Sequence, residues 1–489
     1  MGSRASFRIT RRIMLGVAIF SAGGVGYGQS LPALNSSLID SSDYCFTLFA
    51  GGPESGLDYP HSMVELSDGS LLVSASLPTG TGGIYDSTGQ LLRFTDSNDD
   101  GVADAPTGTP VTISGLPTST LAGGDPAGTL PGTLTSMVQA GNYLFVTSSA
   151  LNYDPSITVL KMNSPTSFQY AGTESMAFPG DWEHTSYAMA VEPTPGGSAG
   201  SFDLYFNIGS ATDNTTTPTT STVSAGGLFS ATLHGDSIYR VTVNTSVATP
   251  TYSNVTQVAY GLRNAAGMTF DKSGNLYFED NGIDSPTSDP TYYIDNGHEY
   301  GADTINRLTA AQLAAGPPLD FGFAHYYEAQ SGTVVTDGSP SGVLPLQIFT
   351  PIEGQYMEGA SEIAFTPASF AGGLNGGMLI GFHGNPLTGS ANAQNPLIYW
   401  NPNTNQYVEL IAGGDPNIGH LDGIYSTGDS VFLMDLNTQG NTYDASGDGS
   451  GAIYELTLVP EPTGLLSLTL GSIFLWRRTG RHVLCQNWK

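Results

Sequence analysis

Five short polar segments of this 489-residue chain stand immediately before apolar, strand-like stretches. Their side chains can exchange a proton or hold an anion, and they are His61, His184, Arg263 with Asn264, Glu358 with Ser361, and His420. An imidazole titrates near neutral pH and can serve as a general base, while a planar guanidinium presents several donors to an anion. For any single histidine the alternative is a hydrogen-bonded structural role, but recurrence of the pattern favours convergence on one pocket.

The elements that would bring these segments together are short strands that recur along the chain. A turn followed by an aromatic or β-branched strand begins at Asp68, Gly141, Asp203, Gly274, Gly376 and Asp429, and a second strand follows each of them, from Gln90, Ser156, Ser237, Thr304, Pro396 and Ala452. Repetition of small antiparallel sheets predicts an all-β fold, a six-bladed β-propeller with four-stranded blades. In a propeller, the loops that lead into the innermost strands meet at one mouth of the central channel. The five polar segments are therefore expected to become neighbours.

The first 29 residues have the pattern of a signal peptide. Four arginines, Arg4, Arg8, Arg11 and Arg12, precede the apolar run IMLGVAIF, which is too short for a comfortable membrane span. The paired arginines also resemble a twin-arginine signal. The pattern predicts export, with residues 30–458 forming the propeller.

Residues 459–489 form a second targeting pattern. Pro460, Glu461 and Pro462 precede the apolar run TGLLSLTLGSIFLW, which ends at Arg477 and Arg478. This arrangement resembles the PEP-CTERM sorting signal of bacteria, which an exosortase processes. The resemblance implies a cell-surface or extracellular location. The only contact with the membrane would be transient anchoring through a short hydrophobic C-terminal helix. The alternative is a lone membrane anchor, and both interpretations predict export.

The charge of the chain argues against nucleic acid as a partner. Lys and Arg number 14 against 43 Asp and Glu, for a net charge of −29. More than half of the basic residues lie in the two terminal segments, so the body is more acidic still. A surface of this charge repels phosphate backbones.

One acidic loop has the spacing of a calcium site. In DSNDDGVAD, the side chains Asp96, Asn98 and Asp100 alternate, Gly101 permits a tight turn and Asp104 follows. Oxygen ligands at alternate positions before a glycine are typical of calcium loops. The pattern predicts a structural calcium ion, and a solvated acidic turn is the alternative.

The segment GLRNAAGMTFDKSGNLYFEDNG from Gly261, followed by GADTINRL, resembles the glucose and sorbosone dehydrogenase family. These are soluble quinoproteins whose six-bladed propeller holds pyrroloquinoline quinone (PQQ) and calcium. The resemblance implies that His184 is the catalytic base that takes the proton of a sugar hydroxyl. It further implies that Arg263 and Asn264 contact the cofactor, and that Gly282 offers a carbonyl ligand to the cofactor calcium. The chain departs from the family pattern at Ala265, Ala266, Ile283 and Thr304 and in the segment DFGF from Asp320.

Two functions remain open at this point. The first is PQQ-dependent oxidation of a sugar, with a sugar or polysaccharide as the partner. The second is a propeller without a redox site that binds carbohydrate or acts as a scaffold at the cell surface. A hydrolase using the same side chains is a third possibility, but the sequence contains no nucleophile elbow or zinc motif to support it.

Overall fold

The computed structural model describes residues 30–39, 43–79, 83–117, 128–150, 153–180, 182–185, 188–212, 222–283, 301–323, 325–336, 342–352, 357, 359–370, 372–384, 394–439 and 449–459. The predicted signal peptide, the Pro-Glu-Pro tail and Glu358 lie outside these residues. Within the described part, no helix has both the length and the apolar character that a membrane span needs.

Almost all regular structure in the described residues is β. The first strands along the chain are β1 (Tyr44–Gly51), β2 (Met63–Glu65), β3 (Leu71–Pro78), β4 (Ser87–Phe94), β5 (Thr109–Pro110), β6 (Thr112–Ser114), β7 (Leu130–Pro131), β8 (Thr133–Ala140), β9 (Tyr143–Ala150), β10 (Tyr153–Ser164) and β11 (Ser167–Ala177). They are followed by β12 (Met189–Pro193), β13 (Ser201–Ile208), β14 (Thr222–Gly226), β15 (Ser230–His234), β16 (Ser237–Asn244), β17 (Thr251–Tyr260), β18 (Met268–Phe270), β19 (Leu276–Asp280) and β20 (Thr304–Leu308). After the short helix α1 (Ala310–Ala315) come β21 (Leu319–Asp320), β22 (Tyr326–Glu328), β23 (Val334–Thr336), β24 (Gln347–Ile348), β25 (Ala360–Phe365), β26 (Met378–Phe382), β27 (Leu397–Asn401), β28 (Gln406–Ile411), β29 (Gly423–Ser426), β30 (Ser430–Asp435) and β31 (Ala452–Leu458). Two 3-10 turns lie at Gly83–Tyr85 and Gly372–Leu374.

In the described part of the chain, these strands form six small, mainly antiparallel sheets and one hairpin, β22–β23. Sheet 1 contains β2 to β5 with β7, sheet 2 contains β8 to β11 with β6, β14 and β15, and sheet 3 contains β12, β13, β16, β17 and β21. Sheet 4 contains β18, β19, β20 and β24, sheet 5 contains β25 to β28, and sheet 6 contains β29 to β31 with β1. The fold is therefore all-β and propeller-like.

The first strand of each sheet lies against the first strand of the next. Strand β2 contacts β8, β8 contacts β12, and the contacts continue through β18 and β25 to β29, which returns to β2. Two hydrogen bonds join neighbouring sheets at these strands. The Met137 N–H donates to Ser62 Oγ at 3.0 Å, and the Met189 N–H donates to Ser136 Oγ at 3.1 Å. These six innermost strands surround a central channel.

The channel opens into a cavity of about 830 Å³, lined by residues of all six innermost strands and by the turns that follow β18, β25 and β29. We call this the lower cavity. The opposite end, where the innermost strands begin, is called the upper mouth. The described polar residues His61, His184, Arg263, Asn264 and His420 precede innermost strands, so the topology puts them at the upper mouth, whereas Ser361 is the second residue of β25.

Strand β19, with the sequence LYFED, shows why a strand of this fold can be apolar on both faces. Leu276 and Phe278 are buried in the core shared with sheet 3, whereas Tyr277 is buried in the core shared with sheet 5. The Tyr277 ring meets Phe365 edge-on, with 5.1 Å between ring centroids. Alternate side chains of one strand thus fill two different cores, since successive residues of a strand point to opposite faces.

The N-terminal strand β1 completes the sheet that ends the chain. It is the outermost strand of sheet 6 and pairs antiparallel with β31, with Tyr44 opposite Leu458 and Phe46 opposite Leu456. The Phe46 ring stacks on Tyr454 with 5.6 Å between centroids. The Val459 N–H donates to Asp43 O at 2.9 Å, so residues 43 and 459 are neighbours. The first and last described strands therefore hold each other in place.

Candidate functional site

His184 lies just before the innermost strand β12 and is held by two bonds to one residue. Its N–H donates to Ser210 O at 3.0 Å, and its Nδ1 lies 2.9 Å from Ser210 Oγ. The Ser210 hydroxyl donates to Thr212 O at 2.7 Å, so its oxygen is left to accept a proton from Nδ1. This assigns the proton to Nδ1 and leaves the lone pair of Nε2 available as a base.

The electrostatic surroundings keep His184 neutral. Burial, followed by the positive charge of Arg263, lowers the pKa of His184 well below its usual value. The backbone leaves no room for a side chain between the two, because a Cβ at Gly209 would lie 2.6 Å from the Cβ of His184 and 3.1 Å from Arg263 O. A neutral, oriented imidazole is the form that accepts a proton.

Arg263 and Asn264 are fixed through their backbones. Both N–H groups donate to the Asp280 carboxylate at the end of β19, at 3.3 Å from Arg263 and 2.8 Å from Asn264. The Asn264 side chain donates from Nδ2 to Asn281 Oδ1 at 2.8 Å. Its Oδ1 is buried and has no hydrogen-bond partner among the described residues. A buried amide oxygen without a partner is costly and marks a place where a ligand donor would fit.

Carboxyl groups crowd the same corner of the upper mouth. Burial raises the pKa of Asp280 to about 7 and the pKa of Glu328 to about 7, and the charge of Glu328 also disfavours ionisation of Asp280. Burial, followed by the charges of Asp303 and Asp280, also raises the pKa of Glu279 well above its usual value. Glu328 Oε1 is buried without a hydrogen-bond partner in the described part of the structure.

Gly282 lies beside these acids, and its position needs a glycine. Its N–H donates to Asp303 Oδ1 at 2.7 Å, and the other oxygen of Asp303 accepts from the Ala360 N–H at 2.6 Å. A Cβ on Gly282 would overlap the backbone of Gly301. Asp303 therefore ties sheet 4 to the start of β25 in sheet 5.

A second group of titratable side chains lies across the upper mouth. His383 Nδ1 is 2.7 Å from Asp422 Oδ2, and the rings of His383 and His420 lie 4.5 Å apart. The charge of Asp422 also acts on His61, whose pKa is lowered by burial. Burial alone would raise the pKa of Asp422, but its hydrogen bond to His383 and the positive charges of the three histidines hold that pKa below the usual value.

No protein-family model and no curated protein matches this chain. Among solved structures, the PQQ-bound form of an aldose sugar dehydrogenase from Streptomyces coelicolor is 14% identical, over 88% of this chain and 100% of that chain, with a TM-score of 0.51. The holo form of the PQQ domain of a pyranose dehydrogenase from Coprinopsis cinerea is also 14% identical, over 88% of this chain and 98% of that chain, with a TM-score of 0.52. The chain shares the fold of these two structures.

The structure divides the residues predicted from the sequence between the two groups. His184, Arg263, Asn264 and Gly282 lie near the acids of sheet 4, whereas His61 and His420 surround Asp422. Ser361 is buried, and its carbonyl packs where Gly267 leaves space, so it serves the contact between sheets. Sequence reasoning missed His383 and Asp422. The signal was present in the segment GFHG, which puts a histidine directly after the second strand of a sheet rather than before the first.

The Asp96 loop is organised by its own backbone. Asp96 accepts the N–H groups of Asp100 at 3.2 Å and Gly101 at 2.9 Å, and Asp104 accepts the Ser97 N–H at 3.0 Å. The Asn98 side chain donates to Asp100 Oδ2 at 2.9 Å. Within the described residues, no group of three or more His, Cys, Asp or Glu side chains is arranged to hold a metal ion. The predicted calcium site at Asp96, Asn98, Asp100 and Asp104 thus gains no support from this geometry and stays a prediction.

Proposed function

We propose that the chain is a six-bladed propeller that oxidises a sugar at its upper mouth, with His184 as the base. The observation that carries the proposal is the orientation of His184, whose Nδ1 proton is directed to Ser210 and whose Nε2 is left as an acceptor beside Arg263. The ring of six innermost strands supports the blade number. The two solved structures support a shared scaffold, and both are named for bound PQQ or a PQQ domain.

The residues present fit an anionic organic cofactor. PQQ carries carboxylate groups, and Arg263 and Asn264 would hold it, since a guanidinium binds carboxylates and the unpartnered Asn264 Oδ1 is ready to accept a hydrogen bond. When bound, the quinone would supply the two-electron acceptor. Asp280 keeps the Arg263–Asn264 backbone in position through its two bonds.

The residues fit the cofactor calcium less well. The resemblance assigns a carbonyl ligand to Gly282, and Asp280 and Glu328 lie at the same corner, but the described side chains contain no set of three metal-binding groups. We therefore assign no catalytic role to calcium.

His184 would act on the substrate hydroxyl. Its Nε2 would take the hydroxyl proton, and the positive charge that forms would be shared with Ser210 through Nδ1–H. Arg263 opposes this charge, which keeps the imidazole neutral until substrate is present. The base is thereby available over a wide pH range.

Export and sorting belong to the same proposal and are supported by the sequence of the two terminal segments. The protein would be exported, processed near residue 29 and sorted to the cell surface by an exosortase acting at the Pro-Glu-Pro tail. Mass spectrometry of the protein recovered from its producing cells tests this, because both cleavages shorten the chain by defined amounts. An intact chain of full mass would contradict it.

The activity is tested by adding PQQ, with and without calcium, to the purified protein and following dye reduction with a panel of sugars. Turnover is expected, and it should be lost in His184→Ala while His234→Ala, which changes an exposed histidine on β15, keeps it. Binding of polysaccharide without turnover in any condition would instead support a carbohydrate-binding or scaffolding module. Equal activity in the two histidine variants would remove His184 from the mechanism.

A further inference from the structure

A second cavity lies between sheets 1 and 2, and hydroxyl groups form much of its lining. Its volume is about 160 Å³, and the described residues that line it include no charged side chain. We call it the side cavity. Pockets for drug-sized ligands measure about 300–1,000 Å³, so the side cavity fits a ligand of about one sugar ring. Because the described lining is uncharged, a neutral ligand fits it better than an ion.

The hydroxyls of the side cavity come from three neighbouring strands of sheet 2. Ser156 of β10 is paired with Ser148 of β9 and with Ser175 of β11. Thr158 of β10 is paired with Thr173 of β11. Residues two apart in a strand point to the same face, so one face of the sheet carries two rows of hydroxyls. These strands lie outward of the innermost strand β8, so the side cavity is separate from the channel.

The buried hydroxyls do not satisfy one another. Ser148 and Ser156 are 4% and 7% exposed, and their oxygens lie 3.0 Å apart. That pair has two protons and makes one hydrogen bond, so one buried donor has no acceptor among the described residues. Thr158, 3% exposed, and Thr173 share one bond at 3.4 Å in the same way, and the Tyr170 hydroxyl already donates to Thr173 at 3.0 Å. A buried donor without an acceptor is costly.

Other parts of the lining are apolar. Leu116 follows β6, Pro131 ends β7, and Tyr170 of β11 brings an aromatic ring as well as its hydroxyl. Water in such a space needs two to four polar partners and leaves the apolar surface wet. A sugar ring presents C–H groups to apolar side chains, and its hydroxyls both donate and accept. The mixed lining of the side cavity matches this chemistry.

We propose that the side cavity binds a neutral sugar residue, free or at the end of a polysaccharide, through the hydroxyl rows of sheet 2. The unpaired proton of each row donates to a sugar oxygen, and the serine and threonine oxygens accept from sugar hydroxyls. Binding makes and breaks no covalent bond and needs no PQQ. The proposal therefore stands or falls separately from the oxidation proposed at the upper mouth.

The first test is isothermal titration calorimetry of the purified protein without PQQ. The ligands are neutral hexoses, their oligosaccharides, the corresponding uronic acids and glycerol. Neutral sugars should bind, and the uronic acids and glycerol should bind at least about tenfold more weakly, because a carboxylate meets no cation and glycerol fills less of the cavity. Tighter binding of an oligosaccharide than of its hexose identifies a polysaccharide as the source, and equal binding identifies the free sugar. Absence of binding by every neutral sugar, or glycerol binding as tightly as the sugars, overturns the proposal.

The second test locates the bound sugar with variants. Thr158→Val removes a hydroxyl, nearly keeps the side-chain shape and suits a strand, so the fold should be retained. The dissociation constant should rise about tenfold, as expected for the loss of one hydrogen bond. Should Thr158→Val fail to fold, Thr173→Val removes the other hydroxyl of the same pair and is expected to have the same effect. The matched control is Thr232→Val, at an exposed position of the outermost strand β15 of sheet 2, which should bind like the wild-type protein.

His184→Ala separates the side cavity from the upper mouth. It should bind the sugar with wild-type affinity, since the proposed ligand lies outward of the innermost strands. Loss of affinity in His184→Ala with none in Thr158→Val would place the sugar at the upper mouth and overturn the proposal. Wild-type affinity in all the variants would overturn it as well.

Discussion

The Nδ1 atom of His184 lies 2.9 Å from Ser210 Oγ, and the same serine donates its proton to Thr212 O. Ser210 therefore selects the tautomer of the histidine. In Ser210→Ala the imidazole loses this selection. The residue remains in place, because the backbone N–H of His184 still donates to the backbone carbonyl of residue 210. We expect kcat of the sugar oxidation to fall about tenfold, the worth of one hydrogen bond, with the melting temperature little changed. Unchanged kcat would show that the tautomer does not depend on Ser210.

The charge of Arg263 is expected to control the titration of His184. Arg263→Gln removes a positive charge that disfavours imidazolium, so the pKa of His184 should rise toward its usual value while burial still holds it down. Side-chain NMR of the histidine in the variant measures this without requiring turnover. Arg93→Gln, which breaks a surface ion pair with Asp68, is the control and should leave His184 unchanged. A pKa that stays constant in Arg263→Gln would contradict the assigned cause.

The buried acids of the upper mouth predict that stability falls as pH rises. Asp280 and Glu328 have pKa values of about 7 when folded, whereas in the unfolded chain they ionise near their usual values of 3.8 and 4.5. Between these limits the folded state binds more protons, so the free energy of unfolding decreases with increasing pH. These two groups should make the protein melt at a higher temperature at pH 5 than at pH 8.

The variant Glu328→Gln should weaken this pH dependence and add on the order of 1 kcal/mol of stability at pH 8, because an amide cannot ionise. Glu54→Gln changes an exposed acid and is the control. Thermal melts of the three proteins at the two pH values check the prediction. Identical pH dependence in Glu328→Gln and the wild-type protein would count against it.

The pairing of β1 with β31 predicts a large effect of a small change near the N-terminus. Phe46 is 1% exposed and stacks on Tyr454, so Phe46→Ala should reduce the free energy of unfolding by about 3–5 kcal/mol. Val408→Ala, at a 37% exposed position of β28, should cost about 0.5 kcal/mol or less. Denaturant titrations compare the two. Similar losses of unfolding free energy in both variants would mean that the stability of the propeller does not depend on the pairing of β1 with β31.

The Asp96 loop allows its hydrogen bonds and a bound ion to be separated. Asp96→Ala removes acceptors for two backbone N–H groups, so it should destabilise the protein by about 1–2 kcal/mol even with a chelator present. If the loop also binds calcium, added calcium should raise the melting temperature of the wild-type protein and leave that of Asp104→Asn unchanged. If the loop binds no ion, calcium should change neither melting temperature. Thermal melts with chelator and with calcium give both answers.

Much of the scaffold could be predicted from local sequence because each strand carries its own pattern. The run LYFED was recognised by its aromatic residues and the preceding turn, and it forms β19. Contacts between distant segments were not encoded locally, so the pairing of Tyr44 with Leu458 was not predicted. For the site, the position before an innermost strand was the signal that placed His184 and Arg263 at the upper mouth, and their roles there stay predictions. This signal was insufficient for His383, which follows a second strand and reaches the mouth only because sheet 5 is antiparallel.

The neighbouring positions of residues 43 and 459 determine where a segment attached to either end would leave the fold. Asp43 precedes β1, the outermost strand of sheet 6, and Val459 follows β31, the strand beside it, so neither residue adjoins the innermost strand β29. A tether attached at residue 43 or residue 459 would hold the propeller from its outer side. It would leave the upper mouth and the lower cavity unobstructed. Joining residues 43 and 459 and opening the chain at a surface turn elsewhere should accordingly yield a circular permutant with the same fold.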